Sequence, residues 1–488
     1  MLFILGTLLM AIPASAQFHP QSDPYGGMMP QGGYDPMAAA PVMQPYAQNV
    51  AYSQQESQGY YGAQGYYPQQ YANSNCPCPN SCCDNCGLFP SEYKRCGKWF
   101  LCGWLDQSYT TTADDSFGHN GVLKFNDLAD EYMLNQLYLS MGRSVTTSGC
   151  NFDFGGRIDM MYGTDYLFAS ANGLEARTNY NGTYQTDPAV NNNRWNSNKG
   201  SRIYDPWTGD SRKSRYGLAL PQFYTELNLP FGCGLNVKAG HFYSPMGYES
   251  VMAPQNFFYS HSYSMMYGDA MTYTGVLFNQ KMSNRFSLLF GVTRGWDMFE
   301  DPNGKLSYLG GFQWQSCDKR TNVSFVMGTG NESLRTNYIT GEATSQEGAI
   351  RTHYSLVVSR QMTDRLKYVF QHNYGHDKAD YVPFFGAGSY NGEWYSLNNY
   401  FFYQLTQTTE FGLRVEWFRD RNNTRIADSF GLADGDDYSE LTLGLNWKPC
   451  CWLNVRPEAR WDWCGLPLFD EGTSKNMFTA GLSTTIMF

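Results

Sequence analysis

Apolar and polar residues alternate along most of the chain from residue 99 to the end. In the stretch 409–419, every second residue is apolar: Phe411, Leu413, Val415 and Trp417. The residues between them are Gly412, Arg414 and Glu416. Because successive side chains of a β-strand point to opposite faces, this stretch predicts a strand with one apolar and one charged face.

Sixteen segments show this pattern. They lie near residues 99–110, 132–143, 150–163, 220–230, 233–243, 270–281, 284–296, 305–316, 321–331, 350–361, 364–375, 392–404, 409–419, 438–448, 452–463 and 477–488. Short turns, such as 282–283 and 362–363, alternate with long loops, such as 164–219 and 244–269. Since this alternation and an even strand count are typical of bacterial outer-membrane barrels, we predict an all-β fold. It is a transmembrane antiparallel β-barrel of about 16 strands over residues 98–488.

The two faces of the predicted strands suit a membrane better than a soluble sandwich. Trp417, Trp447 and Trp461 lie near strand ends, where aromatic rings match the headgroup level of a bilayer. A closed barrel also pairs every backbone group internally, as a membrane requires. A barrel of this size is too wide for its side chains to fill, so we expect an aqueous channel.

Composition narrows the function classes. Charged residues make up 16% and aromatic residues 16% of the chain, and the formal net charge is −10. An acidic chain without a basic face argues against a nucleic-acid partner. No stretch of about 18 consecutive apolar residues follows the N-terminus, which excludes helical membrane spans.

The first 97 residues differ in character from the rest. An apolar run from Leu2 to Ile12, followed by Ala14-Ser15-Ala16, predicts a signal peptide over 1–16, although the usual basic start is missing. Residues 17–75 are low in complexity and rich in Gln, Tyr, Pro and Gly. Such a segment cannot bury enough apolar surface to order itself, so we expect a disordered periplasmic tether. The alternative is a segment that contacts the cell wall or a partner.

Cysteine is abundant in residues 76–97 and recurs in the barrel. The disulfide candidates are Cys76, Cys78, Cys82, Cys83, Cys86, Cys96, Cys102, Cys150, Cys233, Cys317, Cys450 and Cys451. An exported chain of this kind favours disulfides over zinc, because the spacing lacks two clean C-x-x-C pairs. Cys150, Cys233, Cys317 and the Cys450–Cys451 pair fall at predicted short turns. We expect disulfides to link the N-terminal segment to this rim, as a plug or an anchor, or to cross-link neighbouring chains. The alternative for the Cys450–Cys451 pair is that both thiols stay reduced.

Charged residues on the polar faces are the candidate pore lining. They are Arg157, Asp159, Glu226, Lys238, Lys367, Arg414, Glu416, Arg456, Glu458, Arg460 and Asp462. Such a lining sets solute preference, whereas the alternative is mutual ion pairing that fills the wall. The loop 244–269 is long and aromatic, and we expect it to fold into the lumen as a constriction. Its proposed constricting residues are Tyr248, Glu249, Phe257 and Tyr259. An external cap or a subunit contact is the alternative for this loop.

The stretches Gly240–Glu249, Asn256–Ser260 and Thr274-Gly275 resemble a known family. They are similar to the OmpL-like group of β-barrel porins, found among planctomycete-type outer-membrane barrels, over roughly residues 98–488. The resemblance implies outer-membrane location and porin activity, and it carries no catalytic residues. The terminal Phe488 of the last predicted strand likewise resembles the signal that barrel-assembly machinery recognises.

Sequence motifs do not favour an enzyme. The seven histidines form no H-E-x-x-H and no recognisable triad, so we expect no catalytic site, no cofactor and no metal. The expected function is an outer-membrane porin that lets small hydrophilic solutes or ions diffuse, with lipid around it. By analogy with large porins, a homotrimer is the expected assembly. The alternative is a structural or adhesive envelope barrel, cross-linked through its cysteines.

Overall fold

The computed structural model describes most of the chain from residue 98 onwards. The described residues are 98–113, 120–146, 151–175, 216–300, 304–332, 350–381, 390–426, 435–470 and 472–488, with the backbone alone for 95–96, 335–336, 343–344, 379–381 and 390–391. The predicted signal peptide, the tether and nearly all of the cysteine-rich segment lie outside them. So do the side chains of the candidates Cys76, Cys78, Cys82, Cys83, Cys86, Cys96 and Cys150.

Sixteen strands of the described residues form one closed antiparallel barrel. They are β1 (Trp99–Thr112), β2 (Glu131–Arg143), β3 (Asp153–Gly163), β4 (Gly217–Leu229), β5 (Leu235–Tyr243), β6 (Thr272–Lys281), β7 (Phe286–Thr293), β8 (Ser307–Gln315), β9 (Thr321–Asn331), β10 (Ile350–Gln361), β11 (Leu366–Tyr381), β12 (Tyr390–Gln404), β13 (Thr409–Asp420), β14 (Asp436–Cys450), β15 (Leu453–Cys464) and β16 (Asn476–Met487). Each strand pairs with the next, and β16 pairs with β1 to close the ring. The predicted fold and strand count are confirmed.

Strand β11 is longer in the structure than the alternation of the sequence predicts. Strand β11 continues to Tyr381, beyond the predicted end near residue 375. Its last residues are polar on both faces, as with Asp377 inside and Lys378 outside, so the alternation that identifies a strand is lost. Pairing with β10, where Ile350 lies opposite Lys378, extends the strand nonetheless.

The barrel is apolar outside and polar inside, the reverse of a soluble protein. Among outward residues, Phe290 is 47% exposed and Leu482 is 47% exposed. Among inward residues, Arg414, Asn373 and Ser483 are fully buried. An apolar outer band around a polar interior is the arrangement that a bilayer requires of a barrel. None of the helices in the described residues is long and apolar enough to cross a membrane.

The last residue lies in the seam that closes the barrel. The Phe488 amide donates to the Gly103 carbonyl at 2.9 Å, and the Gly103 amide donates to the Phe488 carbonyl at 2.9 Å. The pair continues the β16–β1 register, in which Met487 lies opposite Trp104. The C-terminal residue is therefore part of the ring of hydrogen bonds.

The connection between β5 and β6, residues 244–271, enters the barrel, and we call it the inner loop. All of its residues are buried except Tyr248, Pro254 and Gln255, which are half-buried. It contains a 3-10 turn at Ala253–Gln255 and a π-helical turn at Ser264–Gly268. Such irregular backbone leaves many N–H and C=O groups without partners of its own, so the inner wall has to supply them.

Candidate functional site

Arg414 on β13 joins the wall to the inner loop. Its Nη1 donates to the Glu249 carboxylate at 2.7 Å and to the Ser260 carbonyl at 2.8 Å. Its Nε donates to Glu440 on β14. Both Arg414 and Glu440 are fully buried, so each charge depends on the other for compensation. The guanidinium therefore holds loop and wall together between two carboxylates.

Glu249 also connects two parts of the inner loop. Its Oε2 accepts hydrogen bonds from the Ser262 amide at 2.9 Å and the Ser262 hydroxyl at 3.0 Å. Its Oε1 accepts from the Tyr400 hydroxyl on β12 at 3.2 Å. A buried carboxylate with this many donors is fully satisfied. The predicted constricting residue is thus fixed in place rather than free to swing.

Two wall carboxylates accept from loop amides. Glu458 on β15 accepts from the Tyr259 amide at 2.8 Å and the Ser260 amide at 3.1 Å. Glu416 on β13 accepts from the amides of Tyr263 and Ser264, the latter at 2.7 Å. Charge-assisted bonds of this kind are among the stronger hydrogen bonds in proteins. They supply the partners that the irregular loop backbone lacks.

Two wall arginines donate to loop carbonyls in the same way. Arg456 Nη1 donates to the Ala253 carbonyl at 3.0 Å, and Arg460 Nη1 donates to the His261 carbonyl. Each arginine keeps a carboxylate beside it: Asp106 lies 2.7 Å from Arg456, and Asp462 lies 2.7 Å from Arg460. Both arginines therefore bind the loop while each keeps an oppositely charged partner on the wall.

Amide side chains of β2 and β11, which flank the wall of β13–β15 on either side, also hold the loop. Gln136 on β2 donates to the Val251 carbonyl at 2.7 Å. Gln371 on β11 accepts from the Tyr248 amide at 2.9 Å. Since these strands lie far apart around the ring, the inner loop reaches across the lumen rather than along one wall.

Glycines on the inner face admit the aromatic residues of the loop. A Cβ atom at Gly412 would lie 2.3 Å from Cε1 of Phe257, and one at Gly444 would lie 3.0 Å from Cδ1 of Phe258. The rings therefore pack directly on the strand backbone, which only glycine allows at Gly412. The predicted constricting residues Phe257 and Tyr259 are both buried, with the Tyr259 hydroxyl accepting from Ser108 at 2.8 Å.

The other candidate residues lie on the inner wall outside β13–β15, and Arg157 and Lys367 among them also contact the inner loop. Glu226 and Lys238 face each other across β4 and β5. Arg157 pairs with Asp159 at 2.7 Å on β3. Lys367 on β11 donates to the hydroxyl of the half-buried Tyr248 at 3.2 Å.

All eleven candidate charges lie on the inner face, and six of them contact the inner loop from β13 and β15. Those six are Arg414, Glu416, Arg456, Glu458, Arg460 and Asp462, the last through the Tyr263 hydroxyl at 2.8 Å. Sequence reasoning missed Glu440, Gln136 and Gln371. The alternation along β14 also points Glu440 inward, so this residue could have been found from the sequence. The amides Gln136 and Gln371 could not, because nothing distinguishes them from other inward polar residues.

Most of the described cysteines carry free thiols. Cys233, Cys317, Cys450 and Cys464 are free, while Cys102 and Cys451 are disulfide-bonded. The expectation of disulfides at the short turns is thus not met within this chain at Cys233, Cys317 and Cys450.

The described residues contain no group of three or more His, Cys, Asp or Glu side chains arranged to hold a metal ion. The buried carboxylates Glu249, Glu416, Glu440 and Glu458 instead accept hydrogen bonds from arginines, hydroxyls or backbone amides. The arrangement is suited to fixing a loop across a polar lumen.

Family comparison assigns this architecture. Residues 100–488 match the family described as Putative beta-barrel porin-2, OmpL-like. The chain belongs to this family. The resemblance seen in the sequence is confirmed, and this OmpL-like porin is an outer-membrane, porin-type channel.

Several solved structures are similar to this chain at low sequence identity. The loop L8 deletion mutant of OmpT, an outer membrane protein of Vibrio cholerae, is 10% identical and covers 80% of this chain and 99% of its own, with a TM-score of 0.47. OprB of Pseudomonas putida is 12% identical, covering 80% and 94%, with a TM-score of 0.47. An anion-selective porin from Comamonas acidovorans is 9% identical, covering 80% and 99%, with a TM-score of 0.46. No functionally curated protein matches the sequence.

Proposed function

We propose that this porin is a constricted diffusion channel for small hydrophilic solutes or ions, with the inner loop as its constriction. The supporting observation is the Arg414–Glu249 ion pair at 2.7 Å, which fixes the loop across the lumen. A loop held by satisfied buried charges narrows a pore permanently, because displacing it would expose uncompensated charges.

The remaining passage runs between the inner loop and the inner wall of β4–β9. Glu226, Gln313 and Asn322 on this wall are half-buried, while the wall of β13–β15 is covered by the loop. Glu226 lies beside Lys238, so the passage carries charges of both signs. Such a lining favours polar solutes over apolar ones and discriminates only weakly between cations and anions.

A tryptophan substitution on this wall tests the proposed passage. Asn322→Trp adds bulk to the proposed path, and we expect single-channel conductance in planar bilayers to fall by about twofold. Val323→Trp is the matched control, since the neighbouring residue faces the opposite side of β9. Equal conductance of Asn322→Trp and the unchanged protein would contradict this path.

A structural or adhesive envelope barrel is the second candidate, and one observation favours it. Arg414 and Arg460 have no exposed surface, so the lumen is filled by the loop and its neighbours at this part of the wall. If the lumen conducts nothing, the cysteines and the N-terminal segment would carry the function by cross-linking the envelope.

Conductance of the purified full-length protein, with and without reductant, separates these functions. Steady steps in both conditions support the open channel. Steps after reduction alone support a disulfide-held N-terminal plug, and silence in both conditions supports the structural barrel.

We further propose that residues 17–97 lie in the periplasm, as a tether that contacts the cell wall or another envelope component. The support is the position of the β1 start at Trp99, at the same barrel end as the short turn between β6 and β7. Phe488 is the proposed contact for the barrel-assembly machinery. Protease digestion of intact and permeabilised cells tests the placement, since a periplasmic tether is cleaved only after permeabilisation.

A further inference from the structure

Basic residues are concentrated at three neighbouring short turns of the barrel. These turns, residues 282–285, 316–320 and 362–365, follow β6, β8 and β10. With one flanking residue on either side, they contain five basic residues and two acidic ones, in a chain whose formal net charge is −10. The basic residues are Lys281, Arg285, Lys319, Arg320 and Arg365, and the acidic ones are Asp318 and Asp364. The short turns after β4, β12 and β14, counted in the same way, carry no charged residue, so the positive charge is local to this part of the rim.

Three of the arginines occupy the same position on successive hairpins. Arg285, Arg320 and Arg365 directly precede β7, β9 and β11, and we call them the arginine row. The carbonyl of each arginine accepts a hydrogen bond from the amide of the glutamine that ends the next strand around the barrel. These glutamines are Gln315 at 2.9 Å, Gln361 at 2.8 Å and Gln404 at 2.8 Å. Each bond prolongs the strand ladder by one step, so the arginines lie at one level, two strands or about 10 Å apart.

The arginine row borders the lumen rather than the lipid. Phe286 lies opposite Trp314, which is 40% exposed on the outer face. Arg285 comes one residue before Phe286, so alternation places it on the inner side. In the same way Arg320 comes two residues before Asn322, which lies on the inner wall of the proposed passage. The row is therefore at the short-turn mouth of that passage.

The guanidinium groups of the row keep unused hydrogen-bond donors. Arg320 Nη2 pairs with the exposed Asp364 at 3.2 Å, and Arg285 Nη1 donates to the Cys317 sulfur. Among the described residues, the exposed Arg365 side chain has no partner, and only its backbone is hydrogen-bonded. An arginine presents five N–H donors in a planar fork that matches the oxygens of a carboxylate or a phosphate. Most donors of the row are therefore available to a solute.

We propose that the arginine row is a binding site for the phosphate or carboxylate groups of anionic solutes at the short-turn mouth. This inference rests on the proposed channel and names the class of solute that it favours. The passage itself carries charges of both signs, whereas the row carries an excess of positive charge, so the preference arises at the mouth. Clustered positive charge raises the local concentration of anions, and long arginine side chains on neighbouring hairpins can converge on one multivalent anion.

Phospholipid headgroups carry the same phosphate chemistry, and the face of the barrel distinguishes the two sources. Arg360 is on the lipid side of this rim: its neighbour Ser359 lies opposite the fully buried Val369, so Arg360 itself faces outward. The arginine row follows the opposite face. A dissolved anion at the mouth is therefore the ligand that the row fits.

Reversal potentials in planar bilayers of phosphatidylcholine test the row without anionic headgroups. Combining Arg285→Gln, Arg320→Gln and Arg365→Gln is expected to lower the chloride-to-potassium permeability ratio of the full-length protein about threefold, because three positive charges leave the mouth. The matched control combines Arg360→Gln, Arg419→Gln and Arg421→Gln, which removes the same charge from the outer face, and it is expected to leave the ratio unchanged. Heat-modifiable migration on gels checks that both variants fold.

Tripolyphosphate, a multivalent anion, locates the site along the pore. It is added to each side of the bilayer in turn, and we expect it to interrupt the current from one side only, because the row lies at one mouth. The variant that lacks the row is expected to need about a tenfold higher concentration for the same block, since charge-assisted hydrogen bonds to the anion are lost.

An unchanged permeability ratio without the row, or an equal block from both sides, would overturn the site. An effect of the row variant that appears only in bilayers containing phosphatidylglycerol would also overturn it, since the row would then bind lipid headgroups. If the unchanged protein does not conduct, the proposed channel fails instead. Calorimetric titration of tripolyphosphate into the detergent-solubilised protein then decides the site, and equal affinities with and without the row would contradict it.

Discussion

Arg414 and Glu249 form a buried ion pair, N to O 2.7 Å, across 165 residues of sequence. The pair joins a barrel strand to the inner loop, and Glu440 completes it on the neighbouring strand. Because both carboxylates share one guanidinium, Arg414 balances the buried charge of the loop and of the neighbouring strand at once.

Replacing that side chain is expected to destabilise the barrel. Arg414→Met leaves Glu249 and Glu440 buried without a counter-charge, and breaking a buried pair in this way costs about 3–5 kcal/mol. Thermal unfolding of the detergent-solubilised protein measures the loss. Adding Glu249→Gln to Arg414→Met should recover part of it, because one uncompensated charge is removed.

The exposed pair Arg419–Asp437 is the matched control for this change. Its N to O distance is 2.8 Å, but both side chains reach solvent. Arg419→Met is therefore expected to change stability by about 0–1 kcal/mol. Equal losses for Arg414→Met and Arg419→Met would show that the buried pair does not fix the loop.

Gly412 is expected to tolerate no side chain. Its Cβ would lie 2.3 Å from the Phe257 ring, so Gly412→Val has to displace the inner loop from the wall. We expect larger or noisier conductance steps and a lower unfolding temperature. Gly310→Val is the control, since a Cβ at Gly310 meets nothing within 4 Å. Unchanged conductance and stability of Gly412→Val would argue against loop packing at this point.

Thiol accessibility tests the orientation of the barrel. Cys233 and Cys317 are exposed and lie at short turns, which are periplasmic in outer-membrane barrels. A membrane-impermeant maleimide is expected to label both only after the outer membrane is permeabilised, as read by mass spectrometry of the two peptides. Labelling in intact cells would reverse the proposed orientation.

Phe488 is expected to matter for assembly. Its ring lies against Gly103, where a Cβ would approach it to 2.6 Å. Phe488→Ala should reduce the amount of folded, heat-modifiable protein in the outer membrane. Phe478→Ala, on the same strand but exposed outward, is the control. Equal amounts of folded protein from Phe488→Ala and Phe478→Ala would remove the assembly role.

The sequence by itself determined the strands and the face of each charge. Alternation with a period of two places Arg414 and Glu416 on the side opposite Leu413 and Val415. This assignment does not depend on which strands pair with β13. The alternation is lost where both faces turn polar, as at the end of β11, and it shifts at the bulge in β2, where the adjacent Asn135 and Gln136 are both buried.

Only the tertiary structure decided which of those charges meet the inner loop. Glu249 reaches Arg414 because the ring of strands closes and the loop crosses it, and neither event has a local signature in the sequence. Gln136 and Gln371 hold the loop with uncharged amides that resemble any other polar inward residue. The alternation along a strand determines which face a side chain occupies. Which group that side chain contacts depends on how segments far apart in the chain come together in three dimensions.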